Sequence, residues 1–154
     1  MILTYASGSL RRVWMPGTPV LIRDHINLTG TSPIEGAHFV DMSTAYSRKL
    51  RDIALEVDPT LPEGVYVQFR GPQYETPAEV KMAGVLGGDL VGMSTSLETI
   101  AAREAGIDVL GISLSTNLAA GVSAEPLSHP EVVAAGQAAL PRLIALLQGV
   151  LERL

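Results

Sequence analysis

The sequence predicts an α/β fold, in which strands alternate with helices around a buried core. Short apolar or β-branched runs are separated by segments that start with helix-capping residues, and this order is typical of α/β proteins. Hydrophobic residues make up 47% of the 154 positions and charged residues 18%, which is enough apolar material for a core. We therefore expect one globular domain over residues 1–154.

Two strands and one helix are predicted in the first half. The apolar run 19–22 predicts a strand. Ser47 has the chemistry of an N-cap for a helix that runs to about Val57, where Asp58 and Pro59 end it. The β-branched and aromatic run 65–69 predicts the next strand.

The second half contains three capping-box patterns, each of which predicts the start of a helix. They are Thr76 with Glu79, Thr95 with Glu98, and Ser128 with Glu131. Proline at position 77 suits a first helical turn, and glycines at 87–88 and 106 predict the ends of the first two helices. The apolar runs 89–93 and 109–114 predict buried strands between these helices.

The last helix carries apolar residues that we expect to form its packed face, and Pro141 should kink it. The predicted packed face is Val132, Val133, Leu140, Leu143, Leu147 and Leu151. Segments 29–39 and 118–129 are predicted to be loops long enough to carry function.

Composition excludes several classes of function. The net charge is −5, and the 11 Lys and Arg residues are scattered, which argues against nucleic acid as a partner. The chain has no Cys and three dispersed His, which argues against thiolate chemistry and a metal site. We see no apolar stretch near the roughly 20 residues of a membrane span and no export signal, so we expect a cytoplasmic protein without a membrane partner.

The turn between the strand at 65–69 and the helix at Pro77 presents an aromatic ring and a carboxylate together, from Tyr74 and Glu75. Ligands gather at the carboxyl ends of strands in α/β folds, so this pair suits a flat, hydrogen-bonding ring. The alternative is that Glu75 only complements the positive end of the helix, and the spacing does not decide between the two.

Two other strand ends also carry polar residues. Ser94 and Thr95 follow one strand and enter a helix, so hydroxyls and backbone N–H groups could hold an anion such as phosphate, although both residues could simply be caps. Asn117 follows the last strand and can donate and accept hydrogen bonds to a heterocycle, although Asn is also common in turns.

Five segments together resemble the signatures of trimeric purine nucleoside phosphorylases, in the expected order along essentially the whole chain. The most specific is Gly71-Pro-Gln-Tyr-Glu-Thr-Pro-Ala-Glu79, and the others are 21–28, Met93-Ser-Thr95, Thr116-Asn-Leu-Ala-Ala-Gly121 and 127–132. The resemblance implies a mixed, twisted sheet flanked by helices. It also implies phosphorolysis of a purine nucleoside to the free base and ribose 1-phosphate in a homotrimer, with inorganic phosphate as co-substrate and no metal or organic cofactor.

The resemblance also assigns a role to each matching residue. Glu75 and Asn117 are implied as the catalytic pair, with Glu75 at the purine N1–H and Asn117 at N7 and O6. Asn at this position implies 6-oxopurines such as inosine and guanosine, whereas related methylthioadenosine phosphorylases are expected to carry Asp. The implied substrate-binding residues are Tyr74, Met93, Thr116, His129 at the 5′-hydroxyl, and Phe39 inserted into a neighbouring subunit's site. The implied phosphate-binding residues are Ser94 and Ala6.

Residues 3–10 match the family pattern less well. Tyr5 stands where the family has Asn, and Ser7 and Ser9 replace small residues. The resemblance implies that the family's N-terminal portion, with its phosphate loop and phosphate-binding Arg, is absent from this chain. We therefore expect either self-assembly through exposed strand edges or pairing with a complementary chain. The alternatives to an active phosphorylase are a non-catalytic purine-binding protein and an assembly subunit without a ligand.

Overall fold

The computed structural model describes residues 1–123 and 127–154. Within these residues the chain forms five strands and four helices. In chain order they are β1 (Ile2–Ser9), β2 (Thr18–Asn27), α1 (Arg48–Val57), β3 (Glu63–Gln68), α2 (Pro77–Val85), β4 (Leu90–Gly92), α3 (Ser96–Glu104), β5 (Leu110–Leu118) and α4 (His129–Leu151). Every predicted strand and helix is present, and β1 is an additional strand that the sequence analysis did not predict.

The five strands close into a small barrel in the order β1-β4-β3-β2-β5, with β5 also paired to β1. The β1–β5, β2–β3 and β3–β4 pairs are parallel, while β2–β5 and β1–β4 are antiparallel. The prediction of a mixed sheet flanked by helices is therefore confirmed. Closure of the barrel leaves fewer exposed strand edges than we expected. However, β1 pairs with β4 only at Gly8 and Ser9. Among the described strands, Ile2–Ser7 therefore pairs only with β5.

The core lies on both faces of β2, because successive side chains of a strand point to opposite sides. Val20 and Ile22 pack in a cluster with Tyr46 and Tyr66. Leu21 faces the other way, into a cluster that includes residues of α1, β5 and α4. All three β2 residues are fully buried, which explains why the sequence shows a continuous apolar run here.

Three of the four predicted helix caps form as expected, and the first is Ser47, whose side chain accepts a hydrogen bond from the Leu50 N–H at 3.5 Å. Thr76 accepts a hydrogen bond from the Glu79 N–H at 3.2 Å, and the Glu79 carboxylate accepts one from the Thr76 N–H at 2.7 Å. The Glu98 carboxylate likewise accepts from the Thr95 N–H at 2.8 Å. Ser128 is the N-cap residue of α4, so this helix begins where predicted, but the Ser128 side chain makes no capping hydrogen bond.

The packed face of α4 differs from the prediction. The buried residues are Ala139, Leu146 and Val150, with Leu143 and Leu147 packed beside the same cluster. Val133, Leu140 and Leu151, which we expected to be packed, are exposed. The helix is apolar on more than one side, so its periodicity could not select the face that contacts α1 and β5. The helix also continues through Pro141.

Helix α4 is also long and apolar enough to cross a membrane, with 23 residues and a mean hydropathy of 1.3. This corrects the expectation that no segment approaches that length. A single helix of this kind is weak evidence for a membrane span, since core helices meet the same criterion. Here Arg142 of α4 pairs with Asp58 at 2.8 Å, and the helix packs against β5 and α1.

Candidate functional site

A cavity of about 320 Å³ lies where β1, β4 and β5 end, beside the turn before α2 and the first turn of α4. Its volume is within the range of small-molecule sites. Eight of the nine residues singled out from the sequence line it. These are Ala6, Tyr74, Glu75, Met93, Ser94, Thr116, Asn117 and His129.

The barrel brings these residues together through its register. Gly8 of β1 is paired with Asn117 of β5 on one side and with Val91 of β4 on the other. The Asn117 Nδ2 atom lies only 3.2 Å from the position that a Cβ atom would take on Gly8. A side chain at Gly8 would therefore crowd Asn117.

Glu75 is a nearly buried carboxylate at the wall of the cavity, with 8% of its surface exposed. Its Oε1 atom is buried and has no hydrogen-bond partner among residues 1–123 and 127–154. Burial, and to a smaller extent the nearby Glu79 charge, raise the pKa of Glu75 above its ordinary value. A buried acceptor without a partner is costly, and a hydrogen-bond donor on a ligand would satisfy it.

Asn117 is held in place by its neighbours in β5. The Thr116 hydroxyl donates to Asn117 Oδ1 at 3.1 Å, and Asn117 Nδ2 donates to the Leu118 carbonyl at 3.0 Å. A carboxamide has two N–H groups and two acceptor lone pairs, so these two bonds leave one of each for a ligand within the part of the chain that the structure describes. Thr116 also lies 3.3 Å from the Ser7 carbonyl, which places it as a support for Asn117.

Tyr74 and His129 close one side of the cavity. The Tyr74 hydroxyl and His129 Nδ1 are 3.4 Å apart, although the two residues are 55 positions apart in sequence. Tyr74 is 40% exposed, so its ring lies at the mouth of the cavity.

Met93 reaches the cavity past Gly71, which belongs to the nine-residue signature. Gly71 has a φ of +65°, and a Cβ atom at this position would overlap the Met93 side chain. Glycine is therefore required twice, by its backbone conformation and by the close approach of Met93.

The turn at Ser94 and Thr95 differs from its predicted role as an anion-binding backbone. The Ser94 N–H donates to the Tyr66 hydroxyl at 3.3 Å, and the Thr95 N–H is capped by Glu98. Gln68 Oε1 accepts the next two N–H groups, from Ser96 at 2.7 Å and Leu97 at 3.3 Å. These N–H groups are occupied by the protein itself. The Ser94 hydroxyl lies 3.4 Å from the Thr95 hydroxyl, and Ser94 lines the cavity, so this hydroxyl can also meet a ligand.

The described lining residues provide no Arg or Lys, so the cavity lacks a strong cationic group within this part of the chain. Its ionisable side chains are Glu75, His129, Tyr74 and Tyr5. Sequence reasoning did not place Tyr5 in the site and noted it only as a departure from the family pattern. Its hydroxyl donates to Glu98 Oε1 at 3.2 Å, so Tyr5 contacts the residue that caps α3.

Phe39 is the one predicted residue that lies away from this cavity. It is 98% exposed, in the segment between β2 and α1. The neighbouring His38 is 2.9 Å from Glu104 of α3, a contact that tethers the segment to the barrel. The role of Phe39 in a neighbouring subunit stays a prediction.

The chain matches the model of the phosphorylase superfamily over residues 1–152. It therefore belongs to this superfamily. Its sequence is 64% identical to a purine nucleoside phosphorylase of Cellulomonas sp over 153 residues, covering 99% of this chain and 54% of that protein. It is 59% identical to the purine nucleoside phosphorylase of Mycobacterium tuberculosis, covering 99% of this chain and 57% of the relative.

Solved structures give the same result. The chain matches a Schistosoma purine nucleoside phosphorylase in complex with hypoxanthine, with a TM-score of 0.91 and 36% identity, over 99% of this chain and 61% of that one. Structures of the Schistosoma enzyme with guanosine, inosine and adenosine match equally well. The chain thus spans about half the length of the curated relatives that it matches.

Proposed function

We propose that this chain carries the purine end of a nucleoside phosphorylase site, which converts a purine nucleoside and phosphate to free base and ribose 1-phosphate. The observation that carries the proposal is the unpartnered Glu75 Oε1 atom beside the spare N–H of Asn117 in one cavity. A purine presents both a donor and acceptors on its edges, which matches this pair.

In the proposed reaction, the purine N1–H donates to Glu75 and the free Asn117 N–H addresses N7 or O6. Cleavage of the glycosidic bond through an oxocarbenium-like transition state pushes negative charge into the base. A donor already aimed at N7 or O6 stabilises that charge as it develops. Thr116 supports this step because its hydroxyl holds the Asn117 carboxamide in one orientation.

The ribose and phosphate occupy the rest of the cavity in this proposal. Tyr74 and Met93 pack against sugar and base, and His129 faces the 5′-hydroxyl. The Ser94 hydroxyl and the backbone at Ala6 contact phosphate, which is the co-substrate, and the reaction uses no metal or organic cofactor. The 6-oxopurine preference and a cytoplasmic location belong to the same proposal.

Phosphate binding requires a cation that the described lining residues do not supply, because a hydroxyl alone is a weak partner for a dianion. Ala6 lies on the part of β1 that pairs only with β5, so a further strand could add there. We propose that a polypeptide segment carrying Arg or Lys pairs with β1 and completes the phosphate site. This segment has two possible sources. One is a second subunit of a homotrimer, in which Phe39 of one subunit lies at the next subunit's cavity, and the other is a complementary chain.

A second candidate function is purine or nucleoside binding without turnover. The absence of Arg and Lys from the described lining favours it, whereas Glu75 and Asn117 are retained. The two functions share the purine end and differ only in whether phosphate is activated.

Phosphorolysis of inosine and guanosine by the purified 154-residue chain is the test, with Asn117→Ala as the matched variant. Phosphate-dependent release of base that Asn117→Ala abolishes supports the enzyme. Guanine binding by calorimetry without turnover supports the binding protein, and loss of both contradicts both functions.

Sedimentation of the active sample distinguishes a homotrimer from a complex with a second chain, and a fully active monomer contradicts the proposed assembly.

A further inference from the structure

Gln68 is a buried side chain directly beneath the turn that carries Met93 and Ser94. It is the last residue of β3, is 4% exposed, and is paired in register with Gly92 of β4. Sequence analysis gave it no role beyond membership of a strand.

The Gln68 carboxamide makes three hydrogen bonds that span the turn. Its Oε1 atom accepts from Ser96 N at 2.7 Å and from Leu97 N at 3.3 Å, at the start of α3. Its Nε2 atom donates to the Met93 carbonyl at 3.3 Å, on the other side of the turn. One side chain therefore joins both ends of the Ser94–Thr95 segment.

The turn needs such support because its backbone is strained. Thr95 has a φ of +86°, which is an unfavourable conformation for a β-branched residue, and its side chain is fully buried. The Tyr66 hydroxyl, two residues before Gln68 on β3, accepts the Ser94 N–H at 3.3 Å. Tyr66 and Gln68 thus hold successive parts of the same turn from one face of β3.

We propose that Gln68 is a positioning residue, which fixes the Met93 side chain and the Ser94 hydroxyl in the cavity by joining the two ends of their turn. This inference rests on the proposed function for its effect on catalysis. Gln68 also occupies two N–H groups that would otherwise attract an anion to the start of α3. It therefore directs an anion toward the Ser94 hydroxyl.

Two variants and one control test the proposal. Gln68→Met has similar length and makes none of the three bonds, whereas Gln68→Glu retains an acceptor for the Ser96 and Leu97 N–H groups. Thr99→Val is the matched control, because Thr99 is fully buried in the same helix and its hydroxyl donates to Tyr46 at 3.3 Å, away from the turn.

The measurements are kcat, the KM values for phosphate and inosine, guanine affinity by calorimetry, the unfolding midpoint, and amide exchange at residues 94–97. We expect Gln68→Met to lower kcat/KM by about 10- to 100-fold, since small displacements of reacting groups have effects of this size. Gln68→Glu should recover part of the loss. Thr99→Val should lower the unfolding midpoint while leaving kcat/KM within about twofold of the parent chain.

The proposal is overturned if Gln68→Met changes kcat/KM no more than Thr99→Val does. If the parent chain neither turns over inosine nor binds guanine, the proposed function fails, and amide exchange then decides the role of Gln68. Faster exchange at Ser96 and Leu97 in Gln68→Met, but not in Thr99→Val, supports the positioning role. Unchanged exchange overturns it.

Discussion

The proposed purine end of the cavity, at Glu75 and Asn117, and its proposed phosphate end, at Ser94 and the start of α3, differ in how much hydrogen-bonding capacity they leave for a ligand. At the proposed purine end, Glu75 has a buried oxygen without a partner in the described part of the chain, and the bond to Leu118 uses one of the two Asn117 N–H groups. At the phosphate end, the backbone N–H groups at the start of α3 are taken by Glu98 and Gln68. A helix N-terminus is therefore not an anion site when the protein's own side chains already cap it.

The two ends also differ in charge. The described purine end contains the Glu75 carboxylate, whereas the described phosphate end offers the neutral Ser94 hydroxyl. Under the proposed function, purine binding can therefore be tested on this chain alone, whereas phosphate binding needs a cation from another segment.

The largest expected effect is at the purine end. Glu75→Gln removes the charged acceptor while keeping its shape, and hydrogen bonds to charged groups contribute about 1.5–3 kcal/mol. We expect guanine affinity, measured by calorimetry, to fall by about 10- to 100-fold.

Glu79→Gln is the control for this change, because Glu79 is a neighbouring carboxylate whose capping role Gln can also fill. It should leave guanine affinity unchanged. Equal affinities for guanine in the parent chain and in Glu75→Gln would contradict the assignment of Glu75 to the purine.

Gly71→Ala tests the boundary between the two ends. The added Cβ atom would overlap Met93, and the alanine backbone would have to adopt a positive φ. We therefore expect the free energy of unfolding to fall by about 1–3 kcal/mol. Displacement of Met93 should also weaken guanine binding. Chemical denaturation and calorimetry measure the two effects.

Gly36→Ala separates strain from contact. Gly36 also has a positive φ, of +77°, but a Cβ atom there would meet nothing within 4 Å. The Gly36→Ala variant should therefore be less stable than the parent chain but bind guanine with the same affinity. A similar loss of affinity in both variants would show that Met93 does not shape the purine end.

Ser94→Ala probes the phosphate end. Loss of one neutral hydrogen bond corresponds to about 0.5–1.5 kcal/mol, so the KM for phosphate in a turnover assay should rise by about 3- to 10-fold. Guanine affinity should stay the same, which distinguishes this change from Glu75→Gln. Ser32→Ala, in the exposed segment before α1, is the control, and a fall in guanine affinity for Ser94→Ala would contradict the division into two ends.

The smallest effect is on the pH dependence of stability. Burial raises the pKa of Glu75, so the folded chain favours its protonated form, and ionisation at neutral pH destabilises the fold. Glu75→Gln should therefore unfold at a higher temperature than the parent chain at pH 7. The difference should shrink as the pH falls toward the ordinary value of 4.5 and disappear below it. A constant difference across this range would contradict a raised pKa.

The sequence predicted most of the residues that line the cavity, because each signature lies on a local structure that short-range rules describe. Thr76 and Glu79 specify where α2 begins, so they also specify the turn that presents Tyr74 and Glu75. The resemblance then added roles for residues at other strand ends. What it could not supply was which hydrogen-bonding groups remain free.

The sequence by itself determined the alternation of strands and helices, the caps of α1, α2 and α3, and the residues at the strand ends, because these depend on neighbours along the chain. Only the tertiary structure decided that β1 closes a barrel, which face of α4 is packed, and that Gln68 occupies the N–H groups beside Ser94. These features depend on contacts between residues that are distant in sequence. Local propensity does not depend on such contacts, which form only when the barrel packs.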